Sequence, residues 1–216
     1  MVKVDGLVAT KAATQVSVDR PVLLEQPDHR WVSRGALKLL GVLDPFGVTP
    51  EGLICADLGA STGGFTEVLL DRGAARVYAI DVGTKLLHYR LRDHPRIVNM
   101  EGVNARHLES LPEPIDLLVG DLSFISLTLI LPTVTRLLGA NGEAVVLVKP
   151  QFEAGRSEIG RGGRIRSESA RSEAINGVLE ACEAYGLSVK ASMDSPLAGA
   201  KAGNVEHFVH LCLSGV

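Results

Sequence analysis

Aromatic residues, cysteines and long apolar runs are all scarce in this sequence. Aromatic side chains account for 4% of its 216 residues, although 46% of the residues are hydrophobic. We therefore expect an aliphatic core of the kind that suits a parallel sheet covered on both faces. The longest apolar runs are too short to span a bilayer, and no signal peptide opens the chain. These absences predict no membrane partner and a soluble, cytoplasmic protein with one α/β domain and something small attached.

The cysteines and histidines do not suggest a disulfide or a metal site. Cys55, Cys182 and Cys212 are odd in number, far apart and set in apolar surroundings, which favours buried free thiols. On a strand, His207 and His210 would point to opposite faces, and this offset prevents chelation. We predict no metal ion and a structural role for both histidines.

An excess of positive charge is also lacking. The chain has 22 Lys and Arg against 25 Asp and Glu, a formal net charge of −3, so any surface for nucleic acid must be local. The glycine-rich segment 149–171 has six basic and three acidic residues. Its arginines either grip phosphates and close over a substrate, or belong to a merely solvated, flexible loop.

What the sequence does contain is a glycine-rich stretch at residues 54–66. An apolar run ends on Asp57, a turn follows with Gly59, Gly63 and Gly64, and residues 65–72 have helical spacing before Gly73. This pattern predicts a strand, a tight loop and a helix. Such a unit opens a doubly wound sheet at the place where these folds bind nucleotide-like ligands.

The carboxylate before the loop restricts the class of ligand that this site could bind. The glycine spacing differs from the Gly-x-Gly-x-x-Gly of dinucleotide folds, and Asp57 would repel a pyrophosphate. It would suit a ligand with a positive end, such as the amino-acid moiety of S-adenosylmethionine, and Asp81 at the end of the next strand could accept both ribose hydroxyls. Alternatively, Asp57 caps the helix, although Thr62 is closer to it, and Asp81 is a turn residue before Gly83.

A serine nucleophile is a competing interpretation of the same stretch. Residues 59–63 match the Gly-x-Ser-x-Gly elbow, and Ser61, Asp121 and His207 follow the order of hydrolase triads. However, too little chain precedes this elbow to supply the earlier strands, and no His-Gly-Gly stretch exists. We therefore disfavour a hydrolase.

The rest of the chain alternates between strand and helix patterns, which predicts a mostly parallel sheet with right-handed crossovers. Short β-type stretches at 2–6, 15–19 and 21–24 come first, and a long loop is predicted at 150–166. Further strands are predicted at 76–81, 96–100, 116–121, 142–149, 187–192 and 205–213, and helices at 36–43, 84–92, 126–138 and 168–185.

Five blocks in the chain resemble the signature blocks of the TlyA family. They are residues 31–39, 57–65, 121–126, 148–153 and 203–206. This family comprises haemolysin-A-like, FtsJ-related RNA 2'-O-ribose methyltransferases with an N-terminal S4 RNA-binding domain. The N-terminus resembles only the strand half of an S4 domain, so we expect a truncated one. The expected domains are a partial S4-like segment at 1–28, a linker at 29–35 and a methyltransferase domain at 36–216.

The resemblance implies a Rossmann-like class I methyltransferase fold, with seven mostly parallel strands and helices on both faces. It implies an enzyme that uses S-adenosylmethionine to methylate cytidine ribose in ribosomal RNA, 16S, 23S or both. The implied catalytic tetrad is Lys38, Asp121, Lys149 and Glu206. The implied cofactor residues are Asp57, Gly59, Ser61, Gly63, Gly64, Phe65, Asp81, Val82, Asn104 and Asp121, and the expected RNA contacts are Arg34, Arg156, Arg161, Arg164 and Arg166.

The tetrad suits the chemistry of a ribose hydroxyl, which attacks only when a base takes its proton. A lysine amine serves as that base when a neighbouring cation and partial burial favour its neutral form. We expect Lys149 to accept the proton beside Lys38, with the two carboxylates orienting the amines. Alternatively, Lys38, Lys149 and Glu206 are ordinary surface residues. Phe124 and Phe152 are expected to be core residues, with base stacking as the alternative.

Missing motifs argue against other methyl acceptors and other functions. Amino-methylating enzymes carry an Asn/Asp-Pro-Pro-aromatic block where this chain has residues 121–124, and cytosine carbon-5 enzymes use a cysteine that typically follows proline, which none does here. No amphipathic segment suits a haemolytic pore. An RNA-binding or ribosome-assembly factor with little catalysis remains the alternative, and mutation of Lys149 would discriminate it.

Overall fold

A computed structural model describes residues 2–9, 11, 13–24, 29–199 and 202–215. The chain divides into two compact units, residues 1–31 and 32–216. In the first unit, three short antiparallel strands form a sheet in the order β2-β1-β3: β1 Val2–Val4, β2 Leu7–Val8 and β3 Val22–Leu24. The strand predicted at 15–19 is wrong, because this stretch pairs with no strand in the described chain and ends in a turn closed by Arg20 N and Ser17 O.

The second unit is built on a seven-stranded sheet in the order β6-β5-β4-β7-β8-β10-β9. Its strands are β4 Ile54–Leu58, β5 Arg76–Asp81, β6 Ile97–Glu101, β7 Ile115–Gly120, β8 Leu138–Val148, β9 Leu187–Asp194 and β10 His207–Leu213. The first five strands in this order, β6, β5, β4, β7 and β8, are parallel to one another, and β10 is antiparallel to both of its neighbours. The predicted mostly parallel seven-stranded sheet is confirmed.

Helices cover both faces of this sheet, as predicted. They are α1 Gly35–Phe46, α2 Gly64–Asp71, α3 Tyr89–Arg92, α4 Leu131–Leu137, α5 Pro150–Glu153 and α6 Glu168–Ala184. Buried side chains of α4 and α6 pack with Ala56, Tyr78 and Val146 on one face. On the other face, Phe65 of α2 stacks on Phe208 and Phe46 of α1 stacks on His210. Alternating strand residues therefore serve two aliphatic cores.

Several predicted elements have different bounds in the structure; the helix predicted at 126–138, for example, is a short 3-10 turn at Leu127–Leu129 followed by α4. The helix predicted at 84–92 forms only at α3, because Lys85 has a positive φ of 61° and the backbone N–H groups of Leu86 and Leu87 donate to the Glu101 carboxylate. Strand β8 starts four residues early at Leu138, which pairs with Ile115; the pairing resumes at Glu143. The residues between them form an irregularity that the apolar pattern does not signal.

The predicted loop at 150–166 is also more ordered than expected. It begins with α5 and contains short turns at Arg156–Glu158 and Arg161–Gly163. A bridge between Ile159 and Ile165 then closes a hairpin. We call residues 158–166 the arginine hairpin, since Arg161, Arg164 and Arg166 lie on it.

The cysteines are free thiols, as predicted, with Cys55 and Cys182 buried and Cys212 half-buried. Burial raises the pKa of Cys55 to about 12 and that of Cys182 to about 11, so both thiols are unreactive at neutral pH. Within the described residues, no helix has the length and apolar character to cross a membrane. The same residues include no cluster of three or more His, Cys, Asp or Glu side chains placed to hold a metal ion.

Candidate active site

The glycine-rich loop lies at the carboxyl edge of the sheet, between β4 and α2. Gly59 has a φ of 83°, and a Cβ there would stand 2.9 Å from the Asp121 carbonyl oxygen. Gly63, with a φ of 95°, is the residue before α2, and a side chain on it would collide with Leu87 and Leu91. The cap position of α2 is occupied by Gly63, which has no side chain, so the cap considered for Asp57 or Thr62 is not formed there. These glycines let the loop pass close to the neighbouring strand end.

Asp57 is fully buried beside this loop. Its Oδ2 accepts a hydrogen bond of 2.6 Å from the Thr66 hydroxyl, whereas its Oδ1 has no hydrogen-bond partner in the described part of the chain. Burial raises the pKa of Asp57 to about 7, and the nearby Asp121 and Asp81 charges add to the rise. A buried carboxylate oxygen without a partner is costly, so this position is prepared for a donor from outside the protein.

A cavity of about 250 Å³ opens in front of Asp57. The predicted cofactor residues on its wall are Asp57, Gly59, Ser61, Gly64, Phe65 and Asp121, and Arg34, expected to contact RNA, lies on it as well. Gly63 is not among the described residues that form this wall. It lies in the turn before α2.

A second cavity, of about 570 Å³, continues from the first along the ends of β5 and β7. Asp81, Val82 and Asn104 line it. Asp81 accepts one hydrogen bond of 2.8 Å from Ser61 N and another of 2.8 Å from Gly83 N. These two bonds hold the carboxylate at the rim and fix Ser61, whose φ is 49°. Asp81 is therefore a turn residue, as the alternative interpretation held, and it also lines the cavity.

The four residues of the expected tetrad are in contact with one another. Lys38 Nζ lies 2.6 Å from Glu206 Oε2 and 3.6 Å from Asp121 Oδ2. Lys149 Nζ forms an ion pair with Asp121 Oδ1 and donates a hydrogen bond of 2.7 Å to Ser123 Oγ. Glu206 is 3% exposed and Lys149 7% exposed. The residues thus form a chain of alternating charges, and Asp121 is shared by both lysines.

A third cavity, of about 330 Å³, lies on the other side of the tetrad. Lys38, Lys149 and Glu206 line it together with Phe124 and Phe152. Phe124 has a φ of 64° and is 81% exposed, so the expectation of core packing is wrong for it. Its ring lies 5.4 Å from that of Phe152, centroid to centroid. The lysines therefore separate the first cavity from a pocket with aromatic walls.

The arginine hairpin is fixed to the segment that precedes β10 and carries Glu206. Asn204, buried, accepts a hydrogen bond of 3.0 Å from Ile165 N and donates one of 2.9 Å to Gly163 O. Arg161, Arg164 and Arg166 line a groove of about 500 Å³ beside it, whereas Arg156 lies exposed in the preceding turn. Arg171, by contrast, is buried and paired with Glu168 and Asp194.

The hydrolase alternative has no geometric basis. His207 pairs with Asp194 through Nδ1 over 2.7 Å, and Ser61 and His207 do not share a cavity wall among those that the described residues form. His210 pairs with Glu143 over 2.9 Å. Both histidines are structural, as predicted.

Three site residues were not anticipated from the sequence. Ser123 contacts Lys149, Asn204 holds the hairpin, and Gln151 lines the third cavity with a buried side-chain oxygen that has no partner in the described chain. All three lie within the blocks that carry the family resemblance. Their position in those blocks was the available signal, but their contacts depend on the tertiary fold.

The fold and site together define a Rossmann-like α/β protein with a cleft at the carboxyl edge of its sheet and a centre of two lysines and two carboxylates. Residues 31–212 match the model of the FtsJ-like methyltransferase family. The chain belongs to this family and, within it, to the group of TlyA and hemolysin A.

Named relatives cover nearly the whole chain. It is 45% identical over 213 residues to the 16S/23S rRNA (cytidine-2'-O)-methyltransferase TlyA of Mycobacterium tuberculosis, covering 97% of this chain and 79% of that protein. It is 38% identical to Hemolysin A of Brachyspira hyodysenteriae, covering 97% of this chain and 88% of that protein.

Solved structures of similar proteins agree with this fold. A protein of Streptococcus thermophilus, named as a hemolysin, is 43% identical with a TM-score of 0.84, over 91% of this chain and 72% of that one. An S-adenosylmethionine-dependent methyltransferase from Mesorhizobium loti is 16% identical with a TM-score of 0.59, over 79% of this chain and 95% of that one. The second likeness concerns the fold alone.

Proposed function

We propose that this protein transfers a methyl group from S-adenosylmethionine to the ribose 2'-hydroxyl of a cytidine in ribosomal RNA, 16S, 23S or both. The relatives named as TlyA support the substrate, since their names state this reaction. The observation that carries the proposal is Lys149, a buried lysine between the first and third cavities and in contact with Asp121. This substrate would place the protein with ribosomes in the cytoplasm.

The residues of the cleft fit the proposed cofactor. The unpartnered Asp57 Oδ1 would accept the ammonium of its amino-acid end, because a buried carboxylate is stabilised by an opposite charge. The loop from Gly59 to Ser61 lies close to the end of β7, and its backbone would line one side of the bound cofactor. Asp81 and Asn104, on the wall of the second cavity, would accept or donate hydrogen bonds to its ribose and adenine. When bound, S-adenosylmethionine supplies an electrophilic methyl carbon on a positively charged sulfur.

The tetrad would prepare the ribose oxygen for attack. Lys38 contacts two carboxylates, whereas Lys149 contacts one carboxylate and a neutral hydroxyl. We assign the role of proton acceptor to Lys149, whose second partner is a neutral hydroxyl. Lys38, held by Glu206, would keep Asp121 in place and balance its charge. The protein thus contributes positioning and electrostatics to an in-line transfer.

The arginine hairpin would hold the RNA backbone. Its three arginines are exposed and line one groove next to the tetrad pocket, and guanidinium groups bind phosphate in a bidentate manner. Arg34, on the cleft wall, and Arg156, before the hairpin, would add further contacts. We further propose that residues 1–28 belong to an S4-like RNA-binding segment, joined by residues 29–35 to the methyltransferase domain.

The test combines methyl transfer with mapping of the product. Purified protein is incubated with labelled S-adenosylmethionine and unmodified 30S or 50S subunits, and 2'-O-methyl groups are mapped by blocked alkaline cleavage. We expect label on a cytidine ribose. Label on a base would contradict the tetrad assignment, and no transfer despite cofactor binding would favour an RNA-binding factor.

A lysine pair provides the matched control. Lys149→Met should lower kcat at least about 100-fold, the range for loss of a general base, while cofactor binding by calorimetry changes little. Lys190→Met removes an exposed lysine that pairs with Glu143 on the sheet surface, and it should leave kcat unchanged. Equal effects of the two substitutions would exclude a specific role for Lys149.

A further inference from the structure

Among the described residues, the amine of Lys149 has two partners, one of which is a neutral hydroxyl. It donates to Ser123 Oγ over 2.7 Å and is paired with Asp121. Ser123 is exposed and lines all three cavities at this edge of the sheet. Its hydroxyl therefore stands where the cofactor cleft meets the pocket beyond the tetrad.

Because an amine nitrogen is tetrahedral, this contact affects the direction of its lone pair. A neutral lysine nitrogen is tetrahedral, with one bond to carbon, two N–H bonds and one lone pair. Ser123 accepts one N–H group and the ion-paired Asp121 carboxylate lies beside the nitrogen, so the lone pair is confined to the directions that these two contacts leave open. Without Ser123, one N–H loses its acceptor and the amine can rotate about its Cε–Nζ bond. The lone pair is then no longer confined to these directions.

We propose that Ser123 is a positioning residue that, together with Asp121, directs the Lys149 lone pair at the ribose 2'-hydroxyl; this inference rests on the proposed function. The 2'-hydroxyl proton moves to the Lys149 nitrogen as the ribose oxygen bonds to the methyl carbon. The electron pair of the breaking S–C bond stays on the sulfur, whose positive charge it cancels. Ser123 accepts one hydrogen bond throughout and exchanges no proton.

The charged groups around Lys149 make the serine a clean test. Asp121 at the end of β7, Lys38 on α1 and Glu206 before β10 form the tetrad with it, and Asp57 at the end of β4 lines the same cavity. Replacing Ser123 leaves all of these charges in place. A loss of kcat in Ser123→Ala that threonine restores therefore reports the hydrogen bond.

The experiment compares Ser123→Ala, Ser123→Thr and a control, Ser188→Ala, on the ribosomal subunit that the unmodified protein methylates. Ser188 pairs with Ser214 at the opposite edge of the sheet. We expect Ser123→Ala to lose about 10-fold in kcat with KM changed less than about twofold. Threonine keeps a hydroxyl and should recover most of the loss, and Ser188→Ala should match the unmodified protein.

The split between kcat and cofactor affinity separates positioning from packing. Loss of the hydrogen bond to the reacting amine should lower kcat in Ser123→Ala and leave KM and cofactor affinity nearly unchanged, whereas a packing defect should also weaken cofactor binding. An unchanged kcat, a loss without rescue by threonine, or a loss explained by weaker cofactor binding in calorimetry would each overturn the role of Ser123. If the unmodified protein transfers no methyl group, the proposed function fails, and that measurement does not involve Ser123.

Discussion

At the scale of single residues, Asp57 links pH to stability. Its pKa is raised to about 7 by burial, so between about pH 4 and pH 7 the folded protein holds a proton that the unfolded chain has lost. The free energy of unfolding should therefore fall as pH rises through this window, by up to about 1.4 kcal/mol per unit. Urea unfolding at several pH values should show this slope, which Asp57→Asn should remove. Exposed Asp93→Asn is the control, and a slope that persists in Asp57→Asn would refute the assignment.

The same residue predicts how cofactor affinity depends on pH. Binding of an ammonium requires the charged carboxylate, so S-adenosylmethionine should bind more tightly as pH rises from about 5.5 to about 7.5. Each pH unit below the pKa costs up to about tenfold in Kd, since one unit corresponds to 1.36 kcal/mol. Calorimetry measures the affinity directly. Asp57→Asn should bind weakly with little pH dependence, and an unchanged pH dependence in this variant would place the titrating group elsewhere.

The sequence located the charged residues of the site better than their neutral partners. Asp121 and Lys149 end adjacent parallel strands, so the edge at which they meet follows from the alternation of elements. The Ser123 contact depends on the turn after β7, where Phe124 takes a positive φ, and Asn204 bonds to residues 39 and 41 positions away. Such contacts require the tertiary fold. The catalytic roles themselves stay predictions.

At the scale of secondary-structure elements, Asn204 controls the arginine hairpin. Its side chain makes both of the bonds described above, to Ile165 N and Gly163 O. Asn204→Ala should cost about 1–3 kcal/mol locally, raise KM for the ribosomal subunit about tenfold and leave cofactor affinity unchanged.

Hydrogen exchange at the Ile165 amide reports the hairpin directly and should accelerate in Asn204→Ala. Asn99→Ala is the matched control, because Asn99 is exposed on β6 and donates only a long hydrogen bond of 3.4 Å to Glu101. A protected Ile165 amide together with a raised KM would mean that Asn204 acts on RNA itself and not through the hairpin.

Elements with strong apolar patterns were predicted well, and those decided by local hydrogen bonds were not. The seven strands of the main sheet follow from their aliphatic runs. The first part of the helix predicted at 84–92 does not form, because Leu86 N and Leu87 N donate hydrogen bonds to Glu101. These bonds, mainly the one from Leu87 N, lower the pKa of Glu101 to about 2. This carboxylate is 14 or 15 residues away in the sequence, so the apolar periodicity of the predicted helix does not indicate that it prevents the first turn.

For the whole molecule, net charge determines how the proposed RNA binding can arise. The chain carries a formal charge of −3, so its average field opposes a polyanion and affinity must come from local cations. Arg161, Arg164 and Arg166 lie together on one groove. If each neutralises one phosphate, changing all three to glutamine should make the plot of log affinity against log salt less steep by about 2 units, because single strands lose about 0.7 per contact. Filter binding of labelled RNA at several salt concentrations measures this slope.

Three arginines elsewhere on the same unit supply the control for total charge. Arg72, Arg76 and Arg136 pair with Asp44, Glu113 and Glu109 on the surface, so their change to glutamine removes the same charge away from the hairpin. Long-range attraction would make both triple variants lose affinity alike, since it depends on net charge. Direct phosphate contact predicts a smaller slope for the hairpin variant alone, because counterions are released only where a cation touches the backbone. Equal slopes in the two variants would therefore remove the hairpin from the RNA interface.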